Sequence, residues 1–328
     1  MYVICFFAII INVFSGSNGN PWTEPLSHGD DPEIKKYVGN NPGQWSGKID
    51  ENLLANIRTA KIKSISFNKG GSTISLRLHF TNNTDAAFKP DQFHEQTVPR
   101  YEIAAYRINR LLGFSRVPPA THRTITKKEL LAKLKDVSWP ERVRILREVK
   151  FTENGLVHGE VSHWIPVIKS IPLENLSWRR KWMQWLAPFD YLLKDDYILS
   201  SQISDMVLFD FIINNPDRFT GFNTLASKSK KRLYFMDNTF SFLKSPKGHT
   251  TARIYMNLVR RFSQSTILKI KALTTEKIKK ELAKEKNPPW TILTDDEIKM
   301  VIKRKEYLMH YIVKTIAQYG WSKTVVFP

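Results

Sequence analysis

Residues 61–90 read KIKSISFNKGGSTISLRLHFTNNTDAAFKP, and the folding pattern is decided there. Over 61–67 polar and apolar residues alternate, the period of a strand with one buried face. Asn68-Lys69-Gly70-Gly71 is a turn signal, and alternation resumes over 73–80, so the two runs predict a hairpin. A second turn at 82–85 leads into a third strand over 86–89, which Pro90 stops. Beyond it, residues 101–112 (YEIAAYRINRLL) carry helical spacing, with Ile103, Tyr106 and Leu111 toward one side and Gly113 as a C-cap. Strand, glycine turn, strand, strand and helix make a small sheet-plus-helix lobe.

Toward the C-terminus the pattern becomes mainly helical. Residues 204–214 (SDMVLFDFIIN) predict a buried helix, which Asn215-Pro216-Asp217-Arg218 ends in a loop. Residues 232–236 (RLYFM) predict a short apolar strand running into Asp237-Asn238. Thr294-Asp295-Asp296-Glu297 is a capping box opening an amphipathic helix to about Tyr319, closed by Gly320. The lysine-rich run 269–286 is expected as a solvated helix, and Trp178, Trp182 and Trp185 have the spacing of a helix face in the core.

Toward the N-terminus, residues 3–14 (VICFFAIIINVF) form an apolar run followed at once by small and polar residues. The run is short for a membrane span and suits a signal peptide, expected over 1–19. Residues 20–58, rich in Gly, Pro, Asn and Asp, are expected as an extended arm. This leaves 59–328 as the folded domain, its first lobe about 59–160 and its second about 161–328. The sole cysteine, Cys5, falls in the signal, which excludes disulfides and cysteine chemistry from the mature chain. Asn82 and Asn175 open glycosylation sequons. Lys and Arg outnumber acids 50 to 31, a formal charge of +19, and such a surface attracts polyanions. The eight histidines show no paired metal spacing, and there is no GxSxG elbow.

Phosphoryl transfer needs a cation on the nonreacting phosphates, carboxylates for a divalent metal, and a carboxylate to orient the acceptor hydroxyl. Lys89, ending the third strand, can reach back under the glycine turn toward phosphates; an edge-strand lysine is the plain alternative. Gly70, Gly71 and Thr73 would bring the turn close to those phosphates. Glu102, opening the next helix, either caps its dipole or points into the cleft. Asp217 and Asp237 are loop carboxylates separated by a short strand, the layout of a base and a metal ligand; each also suits an ordinary turn. Asn223 could supply a further oxygen to metal.

Residues 70–90 and 101–123 (YEIAAYRINRLLGFSRVPPATHR), with 205–218 (DMVLFDFIINNPDR) and 234–238 (YFMDN) following in order, resemble the Golgi casein kinase family and its four-jointed relatives. The resemblance covers about residues 60 to 260. It implies an α+β, two-lobed atypical kinase fold working in the secretory lumen or outside the cell. ATP and Mn²⁺ or Mg²⁺ are the implied cofactors, and the implied acceptor is an acidic exported protein or a glycan. By position, Lys89 resembles the ATP lysine and Glu102 the metal-binding or lysine-pairing glutamate. Asp217 resembles the catalytic base, Asp237 the metal-binding aspartate, and 160–163 the hinge. The chain departs from the casein-kinase branch at Phe219, where that branch often has histidine, and at Phe222, where it has an acid. It also lacks the branch's paired cysteines. Two other functions stay open: a pseudokinase acting as an allosteric partner or scaffold, and a basic exported binder of polyanions.

Overall fold

The first three expected strands pair as read. The computed structural model describes residues 44–45, 47–69, 72–189, 191–220 and 223–328. The expected signal, most of the arm, and Gly70, Gly71 and Phe222 lie outside the described residues. A short ribbon, β1 (Gln44–Trp45) against β2 (Lys48–Ile49), leads into helix α1 (Asp50–Thr59). Here the arm expected over 20–58 is corrected. Residues 50–59 start with Asp50 and Glu51 in the first turn and bury Leu53, Leu54 and Ile57 on one side, a short amphipathic helix. The Gly- and Pro-rich composition just before it hid that periodicity.

Strands β3 (Ile62–Phe67), β4 (Leu76–Phe80) and β5 (Asp85–Pro90) form an antiparallel meander. Helix α2 (Arg100–Leu111) follows, then β6 (Ala120–Thr126), α3 (Lys127–Lys133), α4 (Trp139–Glu148) and β7 (Leu156–His163). The sheet order is β3-β4-β5-β7-β6, so β7 inserts beside β5. One face of β5 and β7 carries Ala86, Phe88, Val157 and Val161, all inaccessible to solvent. The other carries Lys89 and Glu160, directly opposite each other in register.

The second lobe holds β8 (Ile168–Ser170), α5 (Leu176–Trp185) and the 20-residue helix α6 (Lys194–Ile213). Most of α6 is buried on all sides, and Asn214 ends it in the left-handed conformation. Strands β9 (Leu225–Ser227) and β10 (Leu233–Tyr234) pair antiparallel and join β8. Helix α7 (Thr250–Met256), strand β11 (Phe262–Ser263), helices α8 (Gln264–Lys271), α9 (Thr275–Leu282), α10 (Asp295–Tyr319) and α11 (Trp321–Thr324), and strand β12 (Val325–Phe327) complete it. The capping box at Thr294 and Glu297 and the stop at Gly320 are where the sequence put them. The lysine-rich run forms two helices rather than one, and Ile278 and Leu282 are buried beneath it.

The chain order and the lobes do not coincide. Helix α9 packs on α2, and Glu285 accepts from Arg107, Thr121 and the backbone and ring of His122. Glu297 takes both ends of the Arg100 guanidinium and the Tyr101 hydroxyl. Residues near the C-terminus therefore clasp the helix that carries Glu102. Among the described residues, no helix is long and apolar enough to cross a membrane.

Candidate active site

Three elements deliver the polar side chains of the cleft: the polar face of β5 and β7, the first turn of α2, and the loops after α6 and β10. Lys89 Nζ donates to Asp237 Oδ1 at 2.6 Å across 148 residues of chain. Lys89 is 15% exposed and Asp237 46%, so the pair sits at the mouth of the cleft. Burial works against the ammonium charge, but the Asp237 carboxylate, then Glu102 and Glu160, outweigh it and hold the lysine pKa above its usual value. Lys89 in turn depresses the pKa of Asp237 despite the cost of desolvation. Asp237 adopts the left-handed backbone region, φ 60°, which a short polar side chain tolerates.

Glu102 is buried in the first turn of α2. It accepts from the backbone N–H of Asn238 at 2.6 Å and from Asn238 Nδ2 at 2.9 Å. Burial raises its pKa; Lys89 pulls it down and the neighbouring Asp237 charge pushes it up. Glu102 thus faces the same space as the Lys89–Asp237 pair, while its hydrogen bonds run to the residue after Asp237.

Asn215 ties the two aspartates together. Its Nδ2 donates to the Asp237 carbonyl at 3.3 Å, and its Oδ1 accepts from the Asp217 N–H at 2.9 Å. Arg218, 1% exposed, is the post of this corner. It grips Asp210 through Nε and Nη2 at 2.9 and 3.0 Å, donates to Asn238 Oδ1 at 2.8 Å, and reaches the carbonyls of Asn223 and Met236. Phe219 fills the space behind, stacked on Tyr255 at 3.9 Å and on Trp182 at 5.8 Å. The Asp217 carboxylate is half-buried and accepts from Thr220 Oγ1 and, at 3.0 Å, from Asn223 Nδ2.

The structure therefore brings Lys89, Glu102, Asp217 and Asp237 into one hydrogen-bonded neighbourhood. Asn223 is brought to Asp217 and not to the Glu102–Asp237 pair. Thr73 is half-buried in the bend before β4, held through Ile74, whose backbone pairs with the buried amide of Gln92. Residues 160–163 lie within β7, and Glu160 points into the cleft from mid-strand, so the chain leaves the sheet only after His163. Sequence reasoning missed Asn215 and Asn238 as site components and read Glu160 only as part of the hinge. Asn-Pro-Asp-Arg and Asp-Asn were visible as turns, but which of their polar atoms reach across the cleft was not.

Among the described residues, no group of three or more His, Cys, Asp or Glu side chains converges as a metal site. The Asp237 charge raises the proton affinity of Glu102 and both carboxylates act on Lys89, so the two share space that favours a cation, now supplied by Lys89. Two carboxylates completed by phosphate oxygens and water suit Mg²⁺ or Mn²⁺ beside a nucleotide. The residues fit that group.

The family model described as Golgi casein kinase, C-terminal, Fam20 matches residues 44–143. Extracellular serine/threonine protein kinase FAM20C of Homo sapiens is 24% identical over 302 residues, covering 76% of this chain and 51% of that protein. The chain is similar to the Fam20 family over these residues. Pseudokinase FAM20A of Mus musculus is 28% identical over 193 residues, covering 45% of this chain and 36% of that protein. The chain spans about half the length, or less, of these relatives. Its fold is the mixed, two-lobed one of the crystal structure of the Golgi casein kinase with Mn/ADP bound: TM-score 0.67 at 18% identity, over 90% of this chain and 84% of that one. The structure of hydra Fam20 with sugar matches with TM-score 0.66 at 16% identity, over 89% of this chain and 97% of that one.

Proposed function

We propose that this protein belongs to the Fam20 family and is a secretory-pathway kinase that transfers the γ-phosphoryl group of ATP to a hydroxyl of an exported protein or glycan. The observation that carries this reading is the Asn215 bridge, which sets Asp217 beside an Asp237 already paired with Lys89. Lys89 would hold the nonreacting phosphates once Asp237 turns to metal. Asp217 would accept the hydroxyl proton or orient the attacking oxygen, its carboxylate aimed by Thr220 and Asn223. Asp237 and Glu102 would hold Mn²⁺ or Mg²⁺, with Asn223 a further oxygen if its amide turns. The metal, when bound, neutralises charge developing on the phosphates. Glu102 is buried behind Asp237 at the mouth of the cleft, and a fixed charge held away from bulk water acts strongly. The relatives named extracellular kinases support placement in the secretory pathway or outside the cell.

The test incubates the chain with labelled ATP, Mn²⁺ and either acidic exported proteins or proteoglycan sugars. Wild type transfers label, and Asp217→Ala loses about 10²–10⁴-fold of it. Equal label from both, or none from either, would defeat the proposal. A pseudokinase is the second reading, favoured by Asn223, whose amide is spent on Asp217. It predicts nucleotide binding with no transfer to either acceptor class.

A further inference from the structure

Glu160 is the one cleft group to which the proposed chemistry gives no work. It lies at the centre of β7, wholly inaccessible to solvent, and neither carboxylate oxygen has a hydrogen-bond partner. A buried carboxylate in that state is costly unless something arrives to pair with it. Its surroundings are defined on every side. Lys89 stands opposite on β5 and His122 opposite on β6. Glu102 approaches from α2 and Asp237 from the loop after β10, close enough that both raise its proton affinity. Burial is the larger cause and the charge of Lys89 works the other way, as does Ser162 more weakly, its hydroxyl being near but outside hydrogen-bond geometry. His122 is committed elsewhere, its Nδ1 lying 2.9 Å from Glu285.

Lys89 is the cation that can change partners. It now spends its charge on Asp237, one of the two carboxylates that would hold metal. A carboxylate turned toward a divalent ion gives up its hold on an ammonium, and a largely buried lysine then needs another anion. Directly opposed residues of an antiparallel pair have Cβ atoms about 5 Å apart, so Lys89 can reach Glu160 by side-chain rotation alone. We propose that Glu160 is the second seat of the Lys89 ammonium, taken when Asp237 is drawn to metal and nucleotide. Glu160 is then a positioning residue: it keeps Lys89 charged and aimed along the sheet toward the phosphates. The inference deepens the kinase reading and rests on it for the role of nucleotide, but the exchange of partners can be tested without any.

Two measurements decide it. The first is a melting-temperature cycle without ligand on wild type, Glu160→Gln, Asp237→Asn and the double variant. With Asp237 intact, Glu160→Gln leaves the melting temperature unchanged or raises it, because it neutralises an unpaired buried acid. With Asp237→Asn, Lys89 has moved to Glu160, and adding Glu160→Gln lowers the melting temperature by about 3–5 °C. The same effect of Glu160→Gln in both backgrounds, or a loss in wild type, overturns the proposal. The second measurement titrates Mn²⁺–ADP calorimetrically. Glu160→Gln binds about tenfold more weakly than wild type. Undiminished binding by Glu160→Gln overturns the second seat. Normal binding by wild type without transfer to any acceptor defeats the kinase reading and leaves the seat standing.

Discussion

Replacing Arg218 with Met tests whether one buried guanidinium holds together the corner that carries Asp217 and Asp237. Arg218 is 1% exposed and its partner Asp210 is 3% exposed. The substitution strips Asp210 of its counter-charge and removes donors from Asn238, Asn223 and Met236. Burial already pushes the Asp210 pKa up against the pull of Arg218, so the lone carboxylate is poorly accommodated. Removing one partner of a buried ion pair costs about 3–5 kcal/mol. At about 2 °C per kcal/mol for a domain of this size, the melting temperature should fall by roughly 6–10 °C. Adding Asp210→Leu removes the stranded charge and should restore at least about half of that loss, because apolar pairs often replace buried ion pairs at little cost. Transfer activity should not return with stability, since the double variant still lacks the link from Arg218 to Asn238. Urea denaturation of the wild type, both single variants and the double variant gives the cycle, and kcat is measured on the same samples. A loss under about 1 kcal/mol for Arg218→Met, or a double variant no more stable than that single one, would refute the reasoning.

Three further outcomes follow from the packing. A Cβ at Gly159 would lie 2.6 Å from the Lys89 carbonyl and 2.7 Å from the Phe88 ring, so Gly159→Ala must shift β5. It should cost about 1–3 kcal/mol in urea denaturation and weaken nucleotide binding through Lys89. Trp182 is fully buried, stacks on Phe219 and donates from its indole to the Leu173 carbonyl at 3.0 Å. Trp182→Ala should cost about 3–5 kcal/mol by thermal denaturation and loosen the Asp217 loop. Burial raises the Glu285 pKa, but donors from His122, Thr121 and Arg107 outweigh it and bring the carboxyl down to about 2. A depressed folded pKa gives stability that is present above the unfolded value near 4.5 and is lost as pH falls from there toward 2. Urea melts from about pH 6 to pH 3 should show the wild type losing roughly 2 kcal/mol over the acid limb, and Glu285→Gln should flatten it.

The parts of the fold legible in the sequence are those that local periodicity reports. The alternation over 61–90 and the capping box at 294–297 are short-range patterns, and both recur as read. The site was legible at Lys89, Glu102, Asp217 and Asp237 because each sits at the end of an element, where polar residues stand out. Glu160 was not, because a polar residue alternating with Val157 and Val161 reads as the solvent face of a strand. It is sealed because α2, returning from a different part of the chain, lies close to that face. The long-range clasp by Glu285 and Glu297 was hidden for the same reason: a lysine-rich run reports exposure of its lysines, not what Ile278 and Leu282 pack against.

Phe219 is where periodicity and resemblance pull apart, and the packing resolves the conflict. The resemblance to the casein-kinase branch leads one to expect a histidine at that position, so its replacement next to Asp217 suggests lost function. In this chain the Asp217 carboxylate has its own partners, Thr220 and Asn223, while the Phe219 side chain is 7% exposed and stacked on Tyr255 and Trp182. Its contacts are hydrophobic and fix the loop by burial, a task that does not require an imidazole. The departure at 219 is accounted for by the neighbours at 182 and 255, and it does not by itself separate a kinase from a pseudokinase. The separation rests on Asp217 and on whether Lys89 can leave Asp237.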